Sequence, residues 1–208
     1  MLWIFDINET MLDLTPLDGV LGSPAAREEW FALVIQGALV SAATSRYRNF
    51  AELGAASFRH LRGADASTAG LGATMRALPA HPDVAGGLGA LRAAGHRLVA
   101  LGNSPKAVID AQLGHSGLEA SFDAAYSADQ VGALKPSAAP YRFVLEQERV
   151  EPSAAVMVAA HGWDIAGAQA AGLRSVFVAR PGRAVLPGEP APDAVVGDFA
   201  ALAGLVLP

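Results

Sequence analysis

Residues 1–14 read MLWIFDINETMLDL and contain the change of polarity from which the fold can be worked out. The apolar run from Leu2 to Phe5 ends abruptly at Asp6, and Asn8, Glu9 and Thr10 follow closely. A short apolar run closed by polar residues indicates a buried strand that leads into a loop. Asp6 would then lie at the edge of the core, where burial and neighbouring charges tune the pKa of a carboxylate. The alternative is that Asp6 only caps a turn, as aspartate often does.

The composition excludes several classes of protein. The 208 residues are 52% hydrophobic and 17% charged, which suits one domain of ordinary size or one core with a smaller insertion. The net charge of -5 argues against a nucleic-acid partner, because phosphate contacts need concentrated Lys and Arg. The chain contains no cysteine, which excludes disulfides, thiolate catalysis and cysteine-ligated zinc.

The sequence shows no sign of a membrane segment or a secretion signal. No apolar run approaches the roughly 20 residues that span a bilayer. The first residues lack a basic start, and Asp6 interrupts their apolar run early. We therefore expect a cytoplasmic protein that does not bind membranes.

The block of residues after the first strand has a helical pattern. Ser23-Pro24 is typical of a helix start, with Ser as the N-cap and Pro in the first turn. Apolar residues then recur at helical spacing to about Ser45, and a second helix is predicted from Phe50 to Leu61. Residues 16–22 are expected to form a loop, and residues 63–72 a loop or a weak helix.

Further along the chain, predicted strands alternate with predicted helices. The strands are continuous apolar runs, which is typical of a parallel sheet covered on both faces. They are expected at RLVALG, at residues 122–127, at AAVMVAA, at SVFVA and at residues 193–196. We predict an α/β fold in which residues 1–14 and 79–208 form a Rossmann-like core with helices on both faces. Residues 15–78 form an all-helical cap inserted after the first strand.

Polar residues follow four of the predicted strands. They are residues 6–10, Asn103-Ser104, Lys135 in GALKPS, and residues 161–164 in AAHGWD. Ligands bind at the carboxyl ends of the strands in such sheets, so we predict one site that contains carboxylates, an ammonium, an amide and an imidazole. Each group also has a structural explanation when taken alone. A lysine before proline is usually a solvated loop residue, and Asp164 would serve as a helix N-cap.

Four segments resemble, in this order and spacing, the haloacid dehalogenase (HAD) superfamily: FDINETMLDL, LVALGNS, ALKPSAAPY and VAAHGWDIAGA. More narrowly they are similar to its type II 2-haloacid dehalogenase branch, and RYRNF at residues 46–50 resembles a segment of that branch's cap. The resemblance implies a HAD-like fold and hydrolysis of a short 2-haloalkanoic acid to a 2-hydroxy acid and halide. It implies no metal or other cofactor, a small-molecule substrate and a homodimer.

The resemblance also assigns roles to residues. In the resembled enzymes the first aspartate attacks the halogen-bearing carbon and forms an alkyl ester that water then hydrolyses, so Asp6 is the expected nucleophile. Lys135 would stabilise the charge of Asp6, and Asp164 would hold Lys135 or position the water. Thr10 and Tyr141 would support the nucleophile and the substrate. The structural alternatives are a turn hydrogen bond for Thr10 and helix packing for Tyr141.

Several residues expected to contact the substrate depart from the branch. Phe31 stands where the branch places an arginine that holds the substrate carboxylate. Asn8 replaces a tyrosine, His161 an asparagine, Ala159 a serine, and Gly102 a serine or threonine. No other side chain repeats the planar geometry of a guanidinium. Three replacements are open: another cation such as Arg46, backbone N–H groups around Asn103-Ser104, or a substrate that is not a simple acid.

His161 is the departure with the clearest chemical consequence. Its ordinary pKa near neutrality suits a general base for the hydrolytic water, and the alternative is a histidine that bonds a loop carbonyl. The catalytic set is therefore Asp6, Lys135, Asp164, His161 and Thr10. The residues predicted to bind substrate are Asn8, Phe31, Arg46, Asn103, Ser104, Tyr141 and Trp163, the last mainly by packing.

Two other functions remain open at this point. A phosphatase of the superfamily would need an acid in place of Asn8, a hydroxyl in place of Gly102, and a carboxylate for Mg²⁺ in place of Ala160. A non-catalytic relative would bind a small acid without turnover or serve only as a scaffold. The missing arginine and serines favour that third reading, and the retained Asp6, Lys135 and Asp164 oppose it.

Overall fold

A computed structural model describes residues 1–207 of the protein. Its strands are β1 (Leu2–Phe5), β2 (Arg97–Gly102), β3 (Ala124–Ser127), β4 (Ala155–Ala159), β5 (Arg174–Val178) and β6 (Ala194–Val196). They form one parallel sheet in the order β3-β2-β1-β4-β5-β6. The predicted α/β fold with a parallel sheet is confirmed. β1 lies at the centre of the sheet, so the residue after it is flanked by the residues that follow β2 and β4.

Helices fill most of the segments between the strands. The α-helices are α1 (Asp18–Leu21), α2 (Pro24–Thr44), α3 (Phe50–Arg62), α4 (Ala69–Arg76), α5 (Val84–Ala93), α6 (Lys106–His115), α7 (Ala138–Glu148) and α8 (Gly162–Ala170). Short 3₁₀ helices lie at Thr15–Leu17, Glu119–Ser121, Ala128–Val131, Pro152–Ala154 and Phe199–Gly204. Within residues 1–207, no helix combines the length and the apolar character that crossing a bilayer requires.

The central strands are buried on both faces of the sheet. Alternate side chains of a strand point to opposite faces, and helices cover each face. In β1, Leu2 and Ile4 pack into a core cluster with residues of α7 and α8. Trp3 and Phe5 pack on the other face into a larger cluster with residues of α5, α6 and the 3₁₀ helix Phe199–Gly204. The continuous apolar character of these strands therefore follows from helices on both sides of the sheet.

Only helical elements lie between Thr15 and Arg76. Residues 16–22 were expected to form a loop, and that expectation is wrong, because a 3₁₀ helix and α1 occupy this segment. Leu17 and Leu21 are buried there in the same cluster as β1. The glycine and proline residues of this segment favoured a loop, but burial of the two leucines in the core stabilises helical turns instead.

The long helix α2 begins where its capping residues predict. The Ser23 hydroxyl accepts a hydrogen bond from Ala26 N–H at 3.1 Å, which satisfies one of the free donors at the helix start. α2 packs closely on α3, where the Trp30 indole N–H donates to the Gly54 carbonyl at 2.9 Å. This packing directs Phe31, the next residue of α2, toward the carboxyl end of the sheet, where its ring contacts His161.

Candidate active site

The loops after β1, β2 and β4 bring their polar side chains to one edge of the sheet, where Lys135 joins them. Asp6 follows β1 directly, and its N–H donates to the Val158 carbonyl of β4 at 3.0 Å. Asn103 follows β2, and His161 lies just after β4 as the N-cap of α8. Ligand sites of open α/β sheets lie at this edge. The four polar segments singled out in the sequence thus lie together.

The Asp6 carboxylate is buried and surrounded by donors. One oxygen, Oδ1, accepts from Lys135 Nζ at 2.9 Å. The other, Oδ2, accepts from Thr10 Oγ1 at 2.6 Å and lies 3.3 Å from His161 Nδ1. Burial alone would raise the pKa of Asp6, but the charge of Lys135 and the bonds from His161 and Thr10 outweigh it and hold the pKa well below its usual range. Asp6 is therefore ionised at neutral pH.

Lys135 is fully buried and uses all three ammonium hydrogens. Besides Asp6, Nζ donates to Asp164 Oδ2 at 2.6 Å and to the Leu101 carbonyl at 2.9 Å. Burial lowers the pKa of a lysine, but the two carboxylates more than offset this and raise the pKa of Lys135 above its ordinary value. The alternative of a solvated loop lysine is excluded, because this side chain is 0% exposed.

Asn103 holds the backbone of Lys135. Its Oδ1 accepts from Lys135 N–H at 2.8 Å, and its Nδ2 donates to the Lys135 carbonyl at 3.1 Å. Both ends of the amide are therefore occupied. The expectation that the Asn103 side chain binds substrate is corrected, because the side chain fixes the position of the lysine.

Asp164 and Tyr141 form the inner side of the site. Asp164 Oδ1 accepts from the Tyr141 hydroxyl at 2.5 Å, while Oδ2 holds Lys135. Of the two roles expected for Asp164, this geometry favours holding Lys135 over positioning water. The N-cap of α8 is His161, so Asp164 is not the cap. Tyr141 is fully buried between α7 and the sheet, which corrects its assignment to substrate contact.

Thr10 links the nucleophile loop to β4. Its hydroxyl donates to Asp6 Oδ2 at 2.6 Å and accepts from Ala160 N–H at 2.9 Å. One side chain therefore connects the loop after β1 with the residue that follows β4. The supporting position expected for Thr10 is where the structure places it.

His161 lies between two carboxylates. Nδ1 faces Asp6 Oδ2 at 3.3 Å, and Nε2 bonds Glu9 Oε2 at 2.7 Å. Burial by itself lowers the pKa of a histidine, but the hydrogen bonds and charges of Asp6 and Glu9 raise the pKa of His161 to about 9. In this state His161 is an imidazolium that donates from both nitrogens. In this resting state both ring nitrogens are engaged by carboxylates, and neither bonds a loop carbonyl.

Two aromatic rings hold the imidazole of His161 in place. The Phe31 ring lies 5.4 Å away on one side, and the Trp163 ring is stacked 5.2 Å away, centre to centre. Phe31 and Trp163 therefore both contact the ring of His161. The packing role expected for Trp163 agrees with this arrangement.

Glu9 and Arg183 complete the site. Glu9 lies in the polar segment 6–10 but was assigned no role from the sequence, and Arg183 was not singled out. Glu9 is buried, and its backbone adopts φ +63°, a left-handed conformation that is uncommon outside glycine. Its carboxylate bonds His161 and also Arg183 Nη2. Burial alone would raise the pKa of Glu9, but His161 and Arg183 lower it below its ordinary value. Arg183 could have been found from its position in the sequence, because it follows the predicted strand SVFVA and therefore lies at the same edge of the sheet as Asp6.

The charged groups form one chain of alternating sign. Neighbouring members approach within hydrogen-bond or ion-pair distance. In order they are Asp164, Lys135, Asp6, His161, Glu9, Arg183 and Glu28. Each buried charge therefore has an opposite charge beside it, which offsets the cost of removing it from water.

Three other predicted residues are not brought to Asp6. Asn8 Nδ2 donates to Ser104 Oγ at 3.3 Å, and Asn8 Oδ1 accepts from Gln112 Nε2 at 3.0 Å. The Asn8 and Ser104 side chains therefore bond each other, and neither side chain is directed to Asp6 by a hydrogen bond. Arg46 is exposed and borders a separate cavity of about 420 Å³ beside α2 and α3. The structure does not bring Arg46 to the site, because this residue follows the end of α2 and is exposed to solvent.

A cavity of about 580 Å³ lies beside His161, between α2 and the loop after β5. Its wall is mostly apolar and includes Phe31, Ile35, Leu39, Trp163 and Leu186, with Arg183 on one side. His161 belongs to this wall, whereas Asp6 does not. A substrate that enters through the cavity meets His161 before it meets Asp6.

The groups around Asp6 do not fit a divalent cation. Asp6 and Asp164 both bind the Lys135 ammonium, and His161 adds a second positive charge beside Asp6. Mg²⁺ needs several free oxygen ligands in near-octahedral geometry. Within residues 1–207, no cluster of three or more His, Cys, Asp or Glu side chains is arranged to hold a metal.

Curated proteins with related sequences include dehalogenases and phosphatases. The chain is 35% identical over 103 residues to (S)-2-haloacid dehalogenase 1 of Pseudomonas sp. (strain CBS-3), covering 50% of this chain and 45% of that protein. It is 35% identical over 130 residues to the plasmid phosphoglycolate phosphatase of Cupriavidus necator, covering 61% of this chain and 55% of that protein. The chain thus spans about half the length of the curated relatives it matches.

Structural and family comparisons extend over more of the chain. The structure of L-2-haloacid dehalogenase from Xanthobacter autotrophicus superposes with a TM-score of 0.88 at 22% identity, covering 98% of this chain and 96% of that one. This likeness shows the fold. A family model described as haloacid dehalogenase-like hydrolase matches residues 2–172. The resemblance found in the sequence is confirmed, and the chain belongs to the family of haloacid dehalogenase-like hydrolases.

Proposed function

We propose that the protein hydrolyses the carbon–halogen bond of short 2-haloalkanoic acids through an ester on Asp6. The observation that carries this proposal is the state of Asp6. Its carboxylate is buried, ionised and held by Lys135 Nζ at 2.9 Å, at the edge where open α/β sheets bind their ligands. A poorly hydrated carboxylate with a fixed counter-ion is suited to attack carbon.

In the first step, a carboxylate oxygen of Asp6 forms a bond to C2 of the acid. The carbon–halogen bond breaks at the same time, and the halide leaves with the bonding electron pair. Lys135 and Thr10 keep the carboxylate ionised and oriented. The product of this step is an alkyl ester of Asp6, which carries no charge on the side chain.

In the second step, water adds to the carboxyl carbon of the ester. The oxyanion that forms needs a donor that is already in place. Lys135 Nζ meets this need, since Asp164 and the Leu101 carbonyl hold it beside Asp6 Oδ1. Collapse of the adduct breaks the bond between the carboxyl carbon and the ester oxygen. This oxygen takes one proton of the water and leaves as the 2-hydroxy acid, and loss of the other proton restores the Asp6 carboxylate.

The substrate carboxylate needs donors other than the family arginine, since Phe31 occupies that position. We propose that the backbone N–H groups of Asn103 and Ser104 bind it. Both residues are buried, and neither N–H has a hydrogen-bond partner within residues 1–207. Buried N–H groups require an acceptor, and these two lie just before α6, where the helix dipole also favours an anion.

Phosphatase activity is the second candidate, because the related sequences include phosphoglycolate phosphatases. The geometry opposes it. Asn8 stands at the position of the acid expected in phosphatases, and its amide is bonded to Ser104 and Gln112. The charges around Asp6 also do not fit Mg²⁺. We therefore expect phosphoryl transfer to be absent.

The test is halide release without added metal from chloroacetate, bromoacetate and the 2-halopropionates. We expect turnover with the unmodified protein and none with Asp6→Asn. During turnover, mass spectrometry of the peptide that contains Asp6 should show the mass of the attached acid. Release of phosphate from p-nitrophenyl phosphate with Mg²⁺, without halide release, would overturn the proposal, as would full activity of Asp6→Asn.

A further inference from the structure

The contact between His161 and Glu9 has no part in the two steps described above. His161 Nε2 bonds Glu9 Oε2 at 2.7 Å, so this nitrogen is committed to the glutamate. Nδ1 is the nitrogen that faces Asp6, at 3.3 Å from Oδ2. The ring therefore connects the reacting carboxyl group to a second buried carboxylate.

Glu9 is held firmly enough to orient a partner. Arg183 bonds its other carboxylate oxygen, and the His81 ring bonds its backbone carbonyl at 3.1 Å. The backbone of Glu9 lies at φ +63°, and such uncommon conformations occur often at functional sites. These contacts keep the Glu9 carboxylate on Nε2 of His161.

We propose that His161 is the general base of ester hydrolysis and that Glu9 is the residue that positions it. This inference rests on the proposed dehalogenase function and assigns the water-activating group of its second step. Before alkylation His161 is a cation between two carboxylates. After alkylation Asp6 is a neutral ester, and Glu9 is the one carboxylate left in contact with the ring.

The loss of the Asp6 charge changes the proton balance of His161. One of the two carboxylates that hold its proton has disappeared, so the pKa of the imidazolium falls and Nδ1 releases its proton to solvent. Nε2 keeps its hydrogen because Glu9 accepts it. The neutral ring then presents the Nδ1 lone pair to the ester.

In the hydrolysis step, water, His161 and Asp6 supply and accept every proton that moves. Water adds to the carboxyl carbon of Asp6 and gives one proton to Nδ1. The bond between the carboxyl carbon and the ester oxygen breaks, and the leaving alkoxide takes that proton and becomes the 2-hydroxy acid. Asp6 is left as a carboxylic acid, which transfers its proton to Nδ1 and restores the ion pair. The overall reaction consumes one water and releases one halide and one proton.

Few other charges act on the ring. From the loop after β1 it faces Asp6 and Glu9, and its two faces are covered by Phe31 of α2 and Trp163 of α8, neither of which titrates. Arg183, from the loop after β5, lies behind Glu9, and Lys135 Nζ lies 5.9 Å from the Trp163 ring on the far side of Asp6. The charge that changes during the reaction is that of Asp6, and Asp6 is the group in direct contact with Nδ1.

The test separates the two half-reactions in His161→Asn and Glu9→Gln. We expect both variants to release a burst of about one halide per chain and then turn over slowly, because the ester persists. The steady-state rate should fall by about 100-fold or more, the size of a lost general base. Mass spectrometry should show the ester accumulating on the Asp6 peptide. His60→Asn is the control, since His60 is an exposed residue of α3, and it should behave like the unmodified protein.

The alternatives give different results. If His161→Asn and Glu9→Gln both turn over normally without accumulating ester, or if halide release slows as much as overall turnover, the inference is wrong and dehalogenation stands. If one variant fails to fold, as judged by circular dichroism, the other still decides. If the unmodified protein itself releases no halide and forms no ester, the proposed function fails, and this inference fails with it.

Discussion

Replacing Lys135 with methionine removes the buried ammonium while keeping a side chain of similar length. In the folded protein, Nζ donates to two carboxylates and one carbonyl, at 2.9, 2.6 and 2.9 Å. The variant leaves Asp6 and Asp164 buried without their shared cation. Removing one partner of a buried ion pair costs about 3–5 kcal/mol, which is a large part of the 5–15 kcal/mol by which a typical domain is stable.

The assay is urea unfolding followed by tryptophan fluorescence. With a slope of about 3 kcal/mol/M, the loss lowers the midpoint by about 1 to 1.7 M at pH 7.5. Lys106→Met is the matched control, because Lys106 and Asp110 form an exposed pair on α6, with side chains 41% and 54% exposed. An exposed pair at this helical spacing contributes about 0.5 kcal/mol or less.

The pH dependence gives a second check on Lys135→Met. In the unmodified protein the pKa of Asp6 lies below its ordinary 3.8, so this carboxylate stabilises the fold above that pH and the contribution is lost as the pH falls. In the variant, burial and mutual repulsion raise the carboxylate pKa values instead. The deficit should therefore shrink between pH 7.5 and pH 5. A deficit no larger than that of Lys106→Met, or one that grows on acidification, would refute the reasoning.

Three further predictions use the same unfolding assay. The pKa of His161 is raised from 6.5 to about 9, so its stabilising contribution is fully present below pH 6.5 and is lost as the pH rises through 9; His161→Asn should lack this loss. Arg183→Met removes ion pairs with two glutamates from a side chain 18% exposed, and we expect a loss of about 1–3 kcal/mol, between exposed and fully buried pairs; no loss would show that these pairs do not stabilise the fold. In Gly87→Ala the new Cβ would lie 2.4 Å from the Phe199 carbonyl oxygen, which costs about 1–3 kcal/mol. Gly86→Ala on the same helix meets open space and should gain up to about 1 kcal/mol, so equal effects at the two glycines would contradict the packing.

Much of the fold follows from short-range features of the chain. The apolar run before Asp6 is β1, and the Ser23-Pro24 pair starts α2 where its capping chemistry predicts. Apolar periodicity and capping involve residues a few positions apart, so the sequence displays them directly. The segment at residues 16–22 was mistaken for a loop because burial of two leucines in the distant core decides its conformation.

The grouping of Asp6, Lys135 and Asp164 also followed from the sequence, through the order of the strands. Each residue comes at or soon after the end of a predicted strand, and parallel strands place their ends together. The roles of Asn103 and Tyr141 were less accessible. Their positions matched the family, but only the structure shows that both side chains are used up in holding Lys135 and Asp164.

The sequence by itself thus determined the α/β class, the family and the position of the ionised carboxylate, because these depend on local patterns and on matched motifs. The tertiary structure alone decided which cation lies beside which anion. Glu9 and Arg183 are 174 residues apart in the chain and form an ion pair, whereas Arg46 borders a separate cavity. A side chain's charge partner depends on how loops from different strands approach one another, and that approach is set by the packing of the whole core.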